Sequence, residues 1–177
     1  MSFPGHIKYG TAGEKYAGKI FLDSRAIIKE KRGITMEADT QKAKEYLQER
    51  GLTCVLCRGE ELVTSDRRGV LPLLELLDSG KDLRGFCAAD KVVGKATAFL
   101  YCLLGVRAVW ARTLSIPAIR VLVAHGISVT GEDVVIGIRN RTDTGPCPME
   151  AATQEIEDPH RALIAIRRTL EHLRSQN

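Results

Sequence analysis

Between Leu52 and Arg139 the sequence switches hydrophobic period every few residues, from strand-length apolar runs to helix-length ones and back, with a turn signal at nearly every switch. A chain patterned this way buries a sheet under helices, because neither element can hide its apolar face alone. Asp39 or Thr40 can cap a helix that carries Ala43, Tyr46 and Leu47 on one face, and Gly51 stops it. Leu52 to Cys57 reads as a strand, Arg58-Gly59-Glu60 as a tight turn, and Glu61 to Ser65 as the hairpin partner. Pro72 suits the first turn of a short helix from Val70 to Asp78, with Gly80 behind it. Arg84 to Ala89 is strand-like, and Asp90 is placed to cap a helix from Lys91 to Leu104 that Gly105 ends. Val106 to Ala111 is a strand, and Ser115 caps a helix running to His125. Ile127 to Thr130 and Val134 to Arg139 read as two short strands around Gly131-Glu132-Asp133. After the polar loop Asn140 to Pro148 the chain closes on a helix opened by Asp158-Pro159, with Ala162, Leu163, Ile166, Leu170 and Leu173 inward. The pattern predicts an α/β fold: a three-layer α/β/α sandwich over a mixed sheet of about five strands.

Composition narrows the class. The longest apolar run, Ala96 to Val106, falls well short of the roughly 20 residues a membrane span requires. Lys8, Glu14, Lys15 and Lys19 interrupt any secretory pattern at the start. Five cysteines, an odd number in a 177-residue chain, point to a reducing compartment, and the expected location is the cytoplasm. The formal net charge of +4 is concentrated in residues 1–35, where seven Lys/Arg face three acids. These residues read as a basic N-terminal extension, residues 36–156 as the main domain, and residues 157–177 as a C-terminal helix packed on it or extending it. The basic arm is a candidate contact for an acidic partner or nucleic acid. No Arg/Lys stripe interleaved with aromatics runs through the body. A homo-oligomer stays open, and a membrane is not expected.

Three helix starts carry the chemistry. Pro148 fits the first helical position, which puts Cys147 at the N-cap, where unpaired N–H groups and the helix dipole favour a thiolate. Glu150 then stands at the third helical position, as in a capping box. The second start is Asp90-Lys91-Val92-Val93-Gly94-Lys95, where a strand ends and a helix begins, the place where open α/β sheets hold ligands. Lys91 and Lys95 share its mouth, and Gly94, costly in a helix, suggests close backbone packing or ligand approach. At the third start Ser115 offers a hydroxyl beside free N–H groups. Cys54 and Cys57 lie three apart on a strand and so point to opposite faces, which argues against a shared metal or bond. Cys87 and Cys102 sit in packing contexts. No dinucleotide fingerprint, phosphate loop or nucleophile elbow occurs.

Cys87-Ala88-Ala89-Asp90-Lys91-Val92-Val93-Gly94-Lys95-Ala96, with Asn140-Arg141 and Cys147-Pro148-Met149-Glu150, resembles a prokaryotic family known as domain of unknown function 1893, of the cytidine-deaminase-like superfamily. The resemblance runs from about Asp39 to Thr153 and implies a cytidine-deaminase-like fold with its pocket at the helix starts. Zinc deaminases carry His/Cys-x-Glu at one helix start and Pro-Cys-x-x-Cys at the next. Here those places read Ala89-Asp90-Lys91 and Leu114-Ser115-Ile116-Pro117-Ala118, so no metal ligand set and no cofactor is assigned.

The expectation is thus a deaminase-like domain without the zinc ligands that binds a small nucleotide-like or anionic ligand. Lys91, Lys95, Gly94, Ser115 and Asn140 are the candidate binding residues. If the domain is an enzyme, it is a metal-free transferase or hydrolase with Cys147 as nucleophile and Asp90 or Glu150 as proton-transfer partner. A non-catalytic ligand-sensing or protein-interaction module, and sulfur or redox handling through Cys147, are the alternatives.

Overall fold

The computed structural model describes residues 16–17 and 31–176, with side chains from Met36 onward. The expected basic extension falls almost wholly outside the described residues. The first described strand, β1 (Tyr16–Ala17), is followed by α1 (Lys31–Glu49), the hairpin β2 (Cys54–Arg58) and β3 (Glu61–Ser65), and α2 (Leu71–Asp78). Then come β4 (Cys87–Val93), α3 (Lys95–Leu104), β5 (Ala108–Ser115), α4 (Ile116–Ala124), β6 (Ser128–Val135), α5 (Pro148–Ala152) and α6 (Pro159–Ser175). The sheet order is β1-β6-β5-β4-β2-β3, with β4, β5 and β6 parallel and the remaining pairs antiparallel. Five full strands and the two-residue β1 make up this mixed sheet, as expected. Helix, hairpin, then helices alternating with strands is also the order the resemblance implies.

Alternation along the strands builds three layers. Cys54, Leu56, Ala88, Val109 and Ala111 face a large core beneath α2, α3, α4 and α6, whereas Val55, Cys57, Ala89 and Trp110 face Ala43 and Leu47 of α1. Cys54 and Cys57 therefore stand on opposite faces, as their spacing requires. On the larger side α6 lies over α3, with Ala162 and Ile166 buried, and Arg167 ties it to Asp78 at the end of α2 (2.5 Å).

Four expectations are corrected. Asp39 is not a helix cap: α1 begins at Lys31 and runs through the expected boundary between residues 35 and 36. Asp39 sits mid-helix at 4% exposure, accepting from Arg107 Nη2 (2.6 Å) and from Gly59 N in the hairpin turn (2.9 Å). Asp90 and Lys91 do not open α3. They lie on β4, which the β-branched pair Val92-Val93 extends by pairing with Thr113 and Leu114 of β5. The N-cap is Gly94, so the helix starts four residues later than expected. β5 in turn continues to Ser115 rather than stopping at Ala111. Finally, β6 is one strand across Gly131-Glu132-Asp133, because it keeps a single register with β5 from Ser128 to Val135. Gly131 makes that possible, since a Cβ there would meet Leu114 side-chain atoms at 3.2 Å.

Candidate functional site

The carboxyl ends of β4 and β5 lead at once into α3 and α4, so two helix N-termini open side by side at one end of the sheet. Each such end presents unpaired N–H groups and a partial positive charge. Ser115 caps α4 as expected, its Oγ accepting from Ala118 N (3.2 Å), and it is fully buried. Gly94 caps α3 with extended backbone.

The carboxylate of Glu150 lies across both ends. Its Oε1 accepts from Ser115 Oγ (2.6 Å) and Lys95 N (3.3 Å), and its Oε2 accepts from Ile138 N (2.5 Å). Four segments are thereby tied through one side chain: α3, α4, the chain following β6, and α5. Gly94 is part of the same fit. A Cβ there would stand 2.9 Å from Ile138 Cγ1 and 3.2 Å from Glu150 Oε2, so the close approach suggested by its presence in the sequence is with this chain's own side chains.

Lys95, at 7% exposure, runs beside this seat. Its Nζ donates to Gln154 O (2.7 Å) and pairs with Glu157 Oε1 (3.0 Å), and it lies 5.7 Å from the Phe99 ring centroid. A cleft of about 380 Å³ opens here, lined by Lys95, Glu150, Arg120, Pro117, Ile138 and Pro146 among others. That volume is within the usual range for small-ligand sites. Arg120 makes no ion pair among the described residues, unlike Lys95.

Of the residues singled out in the sequence, the structure brings Glu150, Ser115, Lys95 and Gly94 together. It also places Cys147 at the N-cap of α5, but that thiol makes no cap hydrogen bond and is not among the cleft's lining residues. Asp90 lies on β4 with its carboxylate on the α3 side, accepting from Tyr101 Oη (2.8 Å) and Val92 N (3.0 Å), while Tyr101 Oη also meets Cys54 Sγ (3.4 Å). Burial pushes the Asp90 carboxyl up to about 7, and burial likewise raises the Tyr101 hydroxyl and the Cys54 thiol well above their ordinary values. Lys91 points to the other face of the sheet, where Nζ donates to Gly51 O at the end of α1 (2.7 Å). Asn140 serves its own loop: its Oδ1 accepts from Thr144 N (2.9 Å) and its Nδ2 donates to Thr144 Oγ1 (3.0 Å).

Arg120 was not singled out from the sequence. The signal was present, as it is the only charged residue of α4, three residues beyond Pro117 and so on the same face. A metal does not fit this place. The two helix starts offer one carboxylate, already taking three hydrogen bonds, with no histidine or cysteine, and no group of three or more His/Cys/Asp/Glu among the described residues is placed to hold an ion. No described helix is long and apolar enough to cross a membrane.

Fold and site together define a three-layer α/β domain whose ligand-sized cleft lies at the carboxyl ends of its parallel strands. The profile of the TM1506 family, described as domain of unknown function DUF1893, matches residues 42–170, and the chain belongs to that family. The crystal structure of a DUF1893 family protein from Thermotoga maritima is 24% identical and superposes with a TM-score of 0.68, covering 77% of this chain and 90% of that one. A more distant likeness is to the apo crystal structure of dCMP deaminase from the cyanophage S-TIM5, at 16% identity and a TM-score of 0.37, covering 56% of this chain and 98% of that one. No curated protein matches the chain.

Proposed function

We propose that the domain binds a small anionic ligand of nucleotide-like size in the cleft at the starts of α3 and α4, with Arg120 as the counter-charge. The seat of Glu150 supports this reading most. Its carboxylate is held by the first amide of α3 and by the Ser115 hydroxyl that caps α4, so this mouth already accommodates one negative charge. Lys95 is neutralised there by Glu157, so Arg120 is the lining cation left to meet a ligand. Pro117, Val121, Ile138 and Pro146 give apolar walls that suit a planar ring next to a charged group. Titration of the full chain with nucleoside 5′-monophosphates, nucleosides and inorganic phosphate, read by calorimetry and thermal shift, tests it. Arg120→Ala is expected to weaken monophosphate binding by about tenfold or more, the worth of a charge-assisted hydrogen bond. Absence of binding across the panel, or binding indifferent to Arg120→Ala, overturns it.

Cys147-dependent transfer or hydrolysis is the second reading, supported by the N-cap position of Cys147 and by its neighbour Pro146 in the cleft wall. Its proton-transfer partners carry other duties, because Glu150 holds four segments together and Asp90 is bonded to Tyr101. Alkylation rate against pH, mapped to each cysteine, is its test: fast modification of Cys147 at neutral pH supports a nucleophile or sulfur carrier, and an ordinary rate removes both. A contact of the basic arm with nucleic acid or an acidic partner is tested by truncation. The cut belongs before Lys31, where α1 begins, and partner binding unchanged in strength and salt dependence rules the arm out.

A further inference from the structure

β2 and β4 run antiparallel, and in their register Cys57 stands directly opposite Cys87. Opposed residues in such a ladder point to the same face with Cα atoms about 4.5–5.5 Å apart, inside the roughly 4.4–6.8 Å that a disulfide spans. Both thiols are free and buried on the side of the sheet that α1 covers. No other cysteine has such a partner: Cys54 opposes Asp90, Cys102 is on α3, and Cys147 opens α5.

Polar groups surround the pair. Arg107 Nε donates to Cys87 Sγ (3.3 Å), Cys87 Sγ reaches Met36 O (3.5 Å), and Cys57 Sγ faces Asp39 Oδ1 at 3.9 Å. Met36 and Asp39 belong to the first half of α1, so both sulfurs help seat that half on the sheet. The Arg107 side chain, 29% exposed, reaches both Cys87 Sγ and Asp39 Oδ2.

We infer that Cys57 and Cys87 are a redox-active dithiol that closes to a cross-strand disulfide on reaction with hydrogen peroxide and, in closing, loosens the first half of α1. The Cys87 sulfur attacks one peroxide oxygen and the O–O bond breaks. Hydroxide leaves and takes up the thiol proton as water, and a sulfenic acid remains on Cys87. The Cys57 sulfur then attacks Cys87 Sγ, the S–O bond breaks, and a second water leaves. Two thiols are oxidised and one peroxide is reduced to two waters. Closure draws Cys87 away from Met36 O and Cys57 away from Asp39.

The test exposes the native full chain to hydrogen peroxide, quenches with acid, alkylates, and maps peptides without reduction. The expected product is an intramolecular Cys57–Cys87 link that forms in the folded protein, with amides of residues 36–47 then exchanging hydrogen at least about tenfold faster. Cys57→Ala is expected to stop at a Cys87 sulfenic acid that dimedone captures. Because that variant removes a buried group, the wild-type peptide map is the deciding readout. A Cys57–Cys87 link that appears only in denaturant, or oxidation confined to Cys147 and Cys102, overturns the proposal. A link that forms natively and leaves exchange in α1 unchanged overturns the loosening.

Discussion

Asp90, midway along β4, and Glu150, at the carboxyl ends of the parallel strands, are held in opposite ways. Glu150 comes from a short helix remote in sequence and gathers three donors from three other segments, two of them backbone N–H groups. Asp90 stays within its own strand and the helix above it, with the Tyr101 hydroxyl and the nearby Val92 N–H as donors, and burial dominates. A carboxylate saturated with hydrogen bonds from several elements is a tie, and its loss orphans each donor. The half-buried Asp90 carboxyl has the Tyr101 hydroxyl and local amides as partners, and desolvation outweighs them and pushes it up to about 7. The same functional group thus serves as a joint in one place and as a titrating site in the other.

The sharpest way to break the comparison is Glu150→Ala, which leaves the buried Ser115 hydroxyl and two amides without their acceptor. It is expected to cost about 3 kcal/mol of stability by chemical denaturation. Glu150→Gln keeps an acceptor on the site and is expected to lose about half of that.

Asp90 is expected to show itself through pH. Its folded-state pKa, about 7, is raised above the unfolded carboxylate value near 3.8, so the folded protein holds a proton that the unfolded chain gives up. Its contribution is therefore full below about pH 4 and is lost as pH rises toward 7. Between pH 5 and pH 8 this one group is expected to remove about 2 kcal/mol, and Asp90→Asn is expected to flatten that slope. An unchanged slope in the variant would assign the pH dependence elsewhere.

Gly94→Ala sharpens the view of the Glu150 joint. The added methyl meets Ile138 and the Glu150 carboxylate, and a loss of about 1 kcal/mol is expected, read as a lower Tm. Cys147→Ser is expected to change stability by less than about 0.5 kcal/mol, because the thiol is half-buried and makes no cap hydrogen bond.

Much of this arrangement was legible in the sequence, for local reasons. Pro148 and Asp158-Pro159 announce helix starts through their own backbone restrictions, and Ser115 announces a cap through its hydroxyl. A glycine at position 94, just where a helix begins, signals close approach, and the structure shows it. What approaches it could not be read, since Ile138 and Glu150 arrive from more than forty residues away. Asp90 was misplaced for a related reason. An aspartate before a lysine and an apolar run looks like a cap, but the pairing of Val92 and Val93 with β5 keeps the strand going, and that pairing is a tertiary fact. Asp39 likewise has the form of a cap residue and is recruited instead by Arg107 and the hairpin turn. Tyr101 carries a phenol hydroxyl among the mostly apolar residues of α3, a polar handle that needs a buried partner.

The most direct measurement is an amide chemical-shift titration of the full, isotopically labelled chain with nucleoside 5′-monophosphates. The expected result is a saturable set of shifts confined to Lys95, Arg120, Ile138, Ala151 and their neighbours, needing about tenfold or more ligand to saturate in Arg120→Ala and unchanged in Lys91→Ala, since Lys91 stands on the opposite face. Shifts that cluster around Lys91 and α1, or a spectrum that no monophosphate moves, would contradict the placement of the ligand site.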